Sequence, residues 1–364
     1  MAETRIRASG VLTPTRGAPR LTVSLDTLCL GRDAATGRIT GSRRLPGSAD
    51  QEAGKETGLL LTEAAGRAAS GAAGLQSAVA QVREWRDADG LLVSRRAELL
   101  ARVETAGGPV LLGTSGQGDP GSLVDALPWD ELGSLDAPFD HVRPPDDWRW
   151  RPLVLRPSPA AVLVAGAAFS LTSRGGRATA KRLSGRRVLP PLTLTDLPSA
   201  PPEVGIDDLG ALARPAPLVE AGRICPPPPV SPAATGVPIG RALWDHDAGG
   251  ILPPPQARLE LTGPETEVPP DAVELVWCVE GLQRYHGDGT VRLHCLARTA
   301  DRPGGWFRLV LRGKPIHLLR QARGLAGPPT AVHSDSEVTT RSLVLAGATD
   351  MEGAGHAVVT VITP

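Results

Sequence analysis

Long apolar runs are missing from this sequence, and so is an excess of either charge. No apolar stretch approaches the roughly 20 residues that a membrane-spanning helix requires. Residues 1–20 are polar and carry Arg5, Arg7, Arg16 and Arg20 in place of an apolar signal segment. The 39 basic and 39 acidic side chains cancel, whereas a nucleic-acid binder needs a basic excess to neutralise phosphates. We therefore expect a cytoplasmic, globular protein that binds neither nucleic acid nor membrane.

Cysteine and lysine are also scarce. The four cysteines, Cys29, Cys225, Cys278 and Cys295, are far apart and include no CxxC pair, which excludes a zinc knuckle. Free thiols are the expected state in a reducing cytosol. Nearly all of the basic residues are arginines, and glycine, proline and alanine are abundant. We interpret this bias as the composition of a high-GC genome and not as phosphate recognition.

Periodicity in the first half of the chain predicts a mixed α/β unit. Apolar and polar residues alternate over 21–30, which is typical of a strand. A helical stripe follows over 50–69, and two strands joined at an Asp-Gly turn span 77–103. A Pro- and Trp-containing connector, which includes Trp148-Arg149-Trp150, ends this part. We place the first domain at 1–150.

The second half, 151–364, combines one apolar helix with many short strands. The helix is predicted over 159–172, with Ser158 as its N-cap and Pro159 at its first position. It is apolar nearly all round, which predicts burial on most faces. Eight short strands between glycine and proline turns follow it, and this pattern favours an antiparallel β-rich domain. The chain is therefore predicted to be of the α+β class.

Six short segments occur in a characteristic order along the chain. Their sequences are DGLLVS at 89–94, SPAAVL at 158–163, LTLTD at 192–196, DDLGALAR at 207–214, LVEAG at 218–222 and PPQARL at 254–259. Their order and spacing resemble the TldD/PmbA family, once called modulators of DNA gyrase. The resemblance covers about residues 77–364 and is best over 155–261.

This resemblance implies a fold and a chemistry. The family has an α/β N-terminal domain, which is shortened in this chain, and a β-rich C-terminal domain. Its catalytic members carry His-Glu-x-x-x-His on the buried helix and a cysteine near the C-terminus. The two histidines bind zinc, and the glutamate is the general base for the metal-bound water. Members often work as pairs, in which a zinc subunit and a metal-free sister enclose one chamber.

This chain departs from the family at every metal ligand. The first histidine corresponds to Ala165, the glutamate to Gly166 and the second histidine to Ser170. The last cysteine, Cys295, is far from the C-terminus. Because catalytic zinc needs about three protein ligands, we expect neither a metal nor another cofactor in this chain.

Candidate catalytic residues lie outside the helix. Trp244 is a candidate substrate-binding residue. Asp245 and Asp247 flank His246, and two carboxylates beside one imidazole could orient it for general-base catalysis. A solvated acidic loop is the alternative. Cys29 could serve as a nucleophile if a histidine base came close, although a buried, inert cysteine is equally consistent with its strand position.

Two further segments are candidates for substrate binding. Cys225 precedes four prolines at what we predict to be a loop mouth. The run 174–187 is the one concentrated basic stretch, and its Arg174 and Arg177 could bind an anionic group, such as a carrier protein or an acidic peptide. The alternatives are a core cysteine and a solvated, Gly-rich loop. Adjacent His294 and Cys295 are not expected to pair, since neighbouring strand residues face opposite sides.

Two functions remain open at this point. The first is a non-catalytic partner of a TldD-like zinc subunit, or a homodimer, that helps to hold a peptide, amide or small-molecule substrate in bacterial secondary metabolism. The second is a metal-independent enzyme that forms or hydrolyses an amide bond, for which a carrier protein is a candidate source of the acyl group. The high-GC composition is compatible with an antibiotic-producing bacterium.

Overall fold

A computed structural model describes most of the chain. The described residues are 2–13, 19–45, 51–70, 74–105, 107–129, 132, 142–198, 205–230, 239–245, 250–252, 258–279, 289–333, 336–355 and 357–362. The structure is mixed α+β with mostly antiparallel sheets, as the sequence predicted. Within the described residues, no helix is long and apolar enough to cross a membrane.

The N-terminal part is a six-stranded antiparallel sheet in the order β3-β2-β1-β4-β5-β6. Its strands are β1 Ala2–Thr13, β2 Arg20–Arg32, β3 Ile39–Leu45, β4 Gly74–Arg86, β5 Leu92–Thr105 and β6 Gly108–Gly116. The hairpin predicted at 77–103 is present as β4 and β5. The central strand β1 was not predicted, although its alternate residues Ile6, Ala8 and Leu12 are buried.

Two helices pack on this sheet. They are α1 Gln51–Ser70 and α2 Pro120–Asp125. The apolar stripe of α1, which includes Leu60, Leu61 and Ala64, is fully buried in one core with the sheet residues. Asp119 caps α2 by accepting a hydrogen bond from the Ser122 amide at 3.1 Å. The helix predicted over 50–69 is thus confirmed within one residue at each end.

The C-terminal part is an eleven-stranded sheet in the order β10-β9-β8-β13-β18-β7-β14-β15-β16-β19, with β17 paired to β18. Its strands are β7 Pro152–Leu155, β8 Thr193–Asp196, β9 Ala216–Glu220, β10 Arg223–Ile224, β13 Arg258–Thr262, β14 Val273–Cys278, β15 Val291–Thr299, β16 Arg302–Gly313, β17 Ala322–His333, β18 Glu337–Gly347 and β19 Ala357–Ile362. Two of its pairs, β13 with β18 and β7 with β14, are parallel. A separate hairpin joins β11 Leu243–Asp245 and β12 Gly250–Leu252.

Four helices belong to this second part: α3 Pro157–Thr172, α4 Arg174–Leu183, α5 Pro315–Leu319 and α6 Ala348–Gly353. Helix α3 is buried along most of its length and contributes Leu163 and Val164 to the main core. Two predictions fail here. The N-cap is Arg156 and not Ser158, since the helix starts two residues early. The basic run, predicted as a loop, begins with the helix α4.

The two sheets share a core. Val276, Trp277 and Trp306 of the C-terminal sheet belong to the same buried cluster as the N-terminal strands and α1. β-Bridges link Val110 to Val279 and Arg38 to Leu209. The domain boundary at residue 150 therefore stays a prediction, because apolar contacts continue across it.

Candidate functional site

The three positions that the resemblance aligns with the histidines and the glutamate of His-Glu-x-x-x-His lie on α3. Ala165 is partly buried against the main core, and Gly166 is buried. The Ser170 hydroxyl donates a hydrogen bond to the carbonyl of Gly166 at 2.8 Å. Within the described part of the chain, no group of three His, Cys, Asp or Glu side chains could hold a metal ion. These positions therefore contribute packing and one internal hydrogen bond, and supply no ligand.

Helix α3 ends at a cavity of about 490 Å³. Ser173 separates α3 from α4, and its hydroxyl accepts a hydrogen bond from the Gly176 amide at 3.2 Å. Gly176 lies so close to α3 that an added Cβ would be 2.2 Å from the Ser170 carbonyl oxygen. The first turn of α4 therefore lies directly against the last turn of α3. Phe169 and Ser170 then line the cavity beside residues of α4 and α5.

A second cavity, of about 670 Å³, adjoins the first. Lys314 and His317 line both cavities; Arg182 lines only the first, and Arg312 and Glu352 only the second. Glu352 pairs with Arg149 and accepts a hydrogen bond from the Val359 amide at 2.8 Å. We call the two cavities together the basic cleft and define it by Arg182, Arg312, Lys314 and His317.

Sequence reasoning missed most of the basic cleft. It singled out Arg174 and Arg177, but Arg177 donates a hydrogen bond to the carbonyl of Pro228 and so fastens α4 to the proline-rich loop. The Arg174 side chain lies outside the described residues. The sequence did contain a signal for Lys314 and His317. They are three residues apart at the start of a helix that begins with a proline, and this spacing favours side chains on one helical face.

Trp244 packs on one face of the β2–β3 hairpin. Its ring packs against Leu28, Leu30 and Ile39 of the β2–β3 hairpin. Cys29 lies between the first two, and because strand residues alternate, it faces the opposite side of the sheet. The side chain of Asp245 and all of His246 and Asp247 lie outside the described residues.

Cys225 follows β10 and is half-buried. Burial raises the pKa of its thiol, and the nearby Glu220 carboxylate raises it further. Because the thiolate is the nucleophile, a raised pKa lowers the reactive fraction at neutral pH. Its surroundings are therefore those of a structural cysteine.

The DDLG segment contacts two parts of the chain that are distant in sequence, the turn before β3 and the residues before β11. Asp207 accepts four backbone amide hydrogen bonds, from Leu209, Ala211, Gly240 and Ala242, at 2.8 to 3.1 Å. Gly210 has a φ of +79°, and a Cβ there would be 1.9 Å from the Thr36 carbonyl oxygen. Glycine is therefore required at the tightest point of the segment.

Asp208 is the centre of a buried ion cluster. Arg5 Nη1 donates to its Oδ2 at 2.6 Å, Arg32 Nη2 to its Oδ1 at 3.0 Å, and the Trp244 amide to Oδ2 at 2.6 Å. Burial disfavours the charged carboxylate, but Arg5, the Trp244 amide and Arg32 outweigh it and lower the pKa of Asp208. The cluster ties β1 and β2 to the 205–245 segment.

The LTLTD segment ends in a second buried pair. Arg241 Nε lies 2.9 Å from Asp196 Oδ2, and Nη1 donates to the carbonyl of Arg214, the last residue of the DDLGALAR segment, at 2.8 Å. Burial raises the pKa of Asp196, and Arg241 only partly offsets it. The LTLTD and DDLGALAR segments thus have structural roles.

Comparisons with solved structures agree with this architecture. TldE from Thermococcus kodakarensis is 14% identical and superposes with a TM-score of 0.62 over 95% of both chains. A candidate modulator of a DNA gyrase from Thermotoga maritima is 15% identical, with a TM-score of 0.57 over 95% of both chains. The chain has a TldE-like fold. A candidate DNA gyrase modulator from Bacteroides thetaiotaomicron, 10% identical with a TM-score of 0.52, covers 99% of this chain and 94% of its own.

Sequence comparisons add no match. No family model and no curated protein matches this chain. The likeness to TldE is therefore one of backbone fold.

Proposed function

We propose that this chain is a metal-free subunit of a TldD/TldE-type assembly. A sister chain that carries His-Glu-x-x-x-His would supply the zinc, and this chain would complete the chamber around a peptide or amide substrate. We place the assembly in bacterial secondary metabolism. The proposal is supported by a TldE-like fold in which the buried helix α3 carries Ala165, Gly166 and Ser170 where the resemblance expects the motif residues.

Asp208 and Gly210 give further support. Asp208 lies in a buried ion cluster, and Gly210 is packed so tightly that an added Cβ would be 1.9 Å from the Thr36 carbonyl oxygen. A chain that no longer needed the fold would need neither feature. Both features maintain the scaffold without contributing catalytic chemistry. They are therefore consistent with a subunit that works through its shape.

Metal-independent amide chemistry has less support. It requires a nucleophile and a base in contact. Cys29 faces away from Trp244, and the pKa of Cys225 is raised. His246 lies outside the described residues.

Co-purification tests the proposal. The chain, tagged and co-expressed with a homologue from the same genome that carries His-Glu-x-x-x-His, is expected to elute with it as one complex of defined mass. A sister variant with both motif histidines changed to alanine should still bind this chain, because the contact is made by the scaffold and not by zinc. If the two proteins elute separately at micromolar concentration, the subunit role is wrong.

A further inference from the structure

The basic cleft brings three cationic side chains and one histidine together from three elements. Arg182 comes from α4, Arg312 from β16, and Lys314 and His317 from the start of α5. Among the described residues, no carboxylate lies within salt-bridge distance of Arg182 or Lys314. Glu352, the one carboxylate in the described lining, is already paired with Arg149. The cleft is therefore electropositive.

The walls of the cleft are largely apolar. Phe169, Ile224 and Ile316 line the first cavity, and Val358 lines the second. Phe169 is 44% exposed and Val358 is 60% exposed, so both present apolar surface to a ligand. Volumes of about 490 and 670 Å³ fall within the range of small-molecule sites, about 300–1,000 Å³. An inorganic ion alone would leave these walls unused.

We propose that the basic cleft binds a small amphipathic anion, with a carboxylate or phosphate headgroup on an apolar body. The headgroup lies between Lys314 and Arg182, beside His317, where the two cations can donate charge-assisted hydrogen bonds. The apolar body lies on Phe169 and Ile316. This binding belongs to the isolated chain and does not depend on the proposed assembly.

Calorimetric titration of the full chain tests the site. The probes are octanoate and octyl phosphate, which share an apolar body and differ in headgroup, and octyl glucoside, which is uncharged. We expect saturable binding of at least one anion, at least about tenfold tighter than octyl glucoside. The tighter of the two anions identifies the headgroup class.

Single substitutions locate the binding. Lys314→Gln and Arg182→Gln should each weaken the tighter anion by about three- to tenfold, as expected for the loss of one charge-assisted contact. Phe169→Ala should weaken both octyl anions. Lys181→Gln is the matched control, because Lys181 is an exposed cation of the same helix outside the cleft lining.

Three results would overturn the proposal. They are the absence of saturable binding by either anion, equal affinity for octyl glucoside, and a Lys181→Gln effect as large as that of Lys314→Gln. Circular dichroism of each variant verifies folding; since Arg182 and Lys314 are exposed, the variants should fold normally.

Discussion

The guanidinium of Arg5 contacts the carboxylate of Asp208 across 203 residues of sequence, with Nη1 2.6 Å from Oδ2. Both side chains are buried, at 5% and 1% exposure. Arg5 also lies 6.0 Å from the Trp85 ring centroid. The central strand of the N-terminal sheet is thereby joined to the loop that supports Trp244.

Removal of either partner should therefore be costly. Arg5→Ala leaves the buried Asp208 with Arg32 as its remaining cation, and Asp208→Ala leaves Arg5 and Arg32 with Glu3 as their remaining carboxylate. Each variant should therefore lower the free energy of unfolding, by up to about 3–5 kcal/mol, the range for breaking a buried pair. The double variant should lose less than the sum. Urea denaturation measures the cycle, with Arg44→Ala as the control, since Arg44 is 60% exposed in its pair with Asp26 and should cost about 0–1 kcal/mol. Additive losses for Arg5 and Asp208 would contradict the pairing.

The two buried carboxylates should differ in their response to pH. The pKa of Asp208 is lowered in the folded protein. Its ionised form therefore stabilises the fold at pH values above the pKa of an unfolded aspartate, about 4. That stabilisation is lost as the pH falls through the pKa of the folded protein. The pKa of Asp196 is raised, so its stabilising contribution is present below that pH and is lost as pH rises through the folded pKa.

Neutral isosteres test this difference. At pH 7, Asp208→Asn should destabilise the protein more than Asp196→Asn, and the gap between wild type and Asp208→Asn should narrow as pH falls below about 4. Unfolding free energies measured across pH 3 to 8 would show it. An Asp196→Asn variant that is the less stable of the two at pH 7 would be inconsistent with the assigned directions.

The junction of α3 and α4 allows a test with adjacent glycines. An added Cβ at Gly176 would be 2.2 Å from the Ser170 carbonyl oxygen, whereas at Gly175 it would meet no atom within 4 Å. Gly176→Ala should therefore cost about 1–3 kcal/mol, because backbone must move, and Gly175→Ala should be nearly neutral or slightly stabilising. Thermal melting distinguishes them, and equal melting temperatures would refute the close approach.

The four thiols should separate into two classes. Cys278 and Cys295 are buried and directly opposite on neighbouring strands, while Cys29 and Cys225 are half-buried. Burial and contact with Cys278 raise the pKa of Cys295 well above its usual value. An aromatic disulfide reagent should label Cys29 and Cys225 in the native protein and all four only after denaturation. Rapid native labelling of Cys295 would contradict its burial.

Local patterns explain which elements could be predicted. Alternation located β4 and β5, and the apolar sequence of α3 predicted its burial. Strand β1 was missed because Arg5 and Arg7 give residues 1–20 a polar character. Arg5 is buried between the nearby Glu3 and the distant Asp208, and the contact with Asp208 lies outside any local sequence window. The Gly175-Gly176 pair suggested a loop, whereas α4 forms because Ser173 caps it and Gly176 packs on α3.

The candidate site divides in the same way. Ser170 could be located from the helix and the resemblance, since both are local features. The basic cleft could not be located in this way. Lys314 and His317 come from a short helix that is distant in sequence, and only the folded sheet brings that helix to the end of α3. Arg177 was a candidate from charge alone, but its hydrogen bond to the carbonyl of Pro228 gives it a structural role.

Zinc content is the most direct test of the metal-free subunit. Elemental analysis should find no stoichiometric zinc in the chain purified alone, and about one zinc per complex when it is purified with its His-Glu-x-x-x-His sister. Alanine substitution of the sister's motif histidines should remove that zinc and leave the complex intact. Stoichiometric zinc on this chain alone, retained after dialysis, would contradict the proposal.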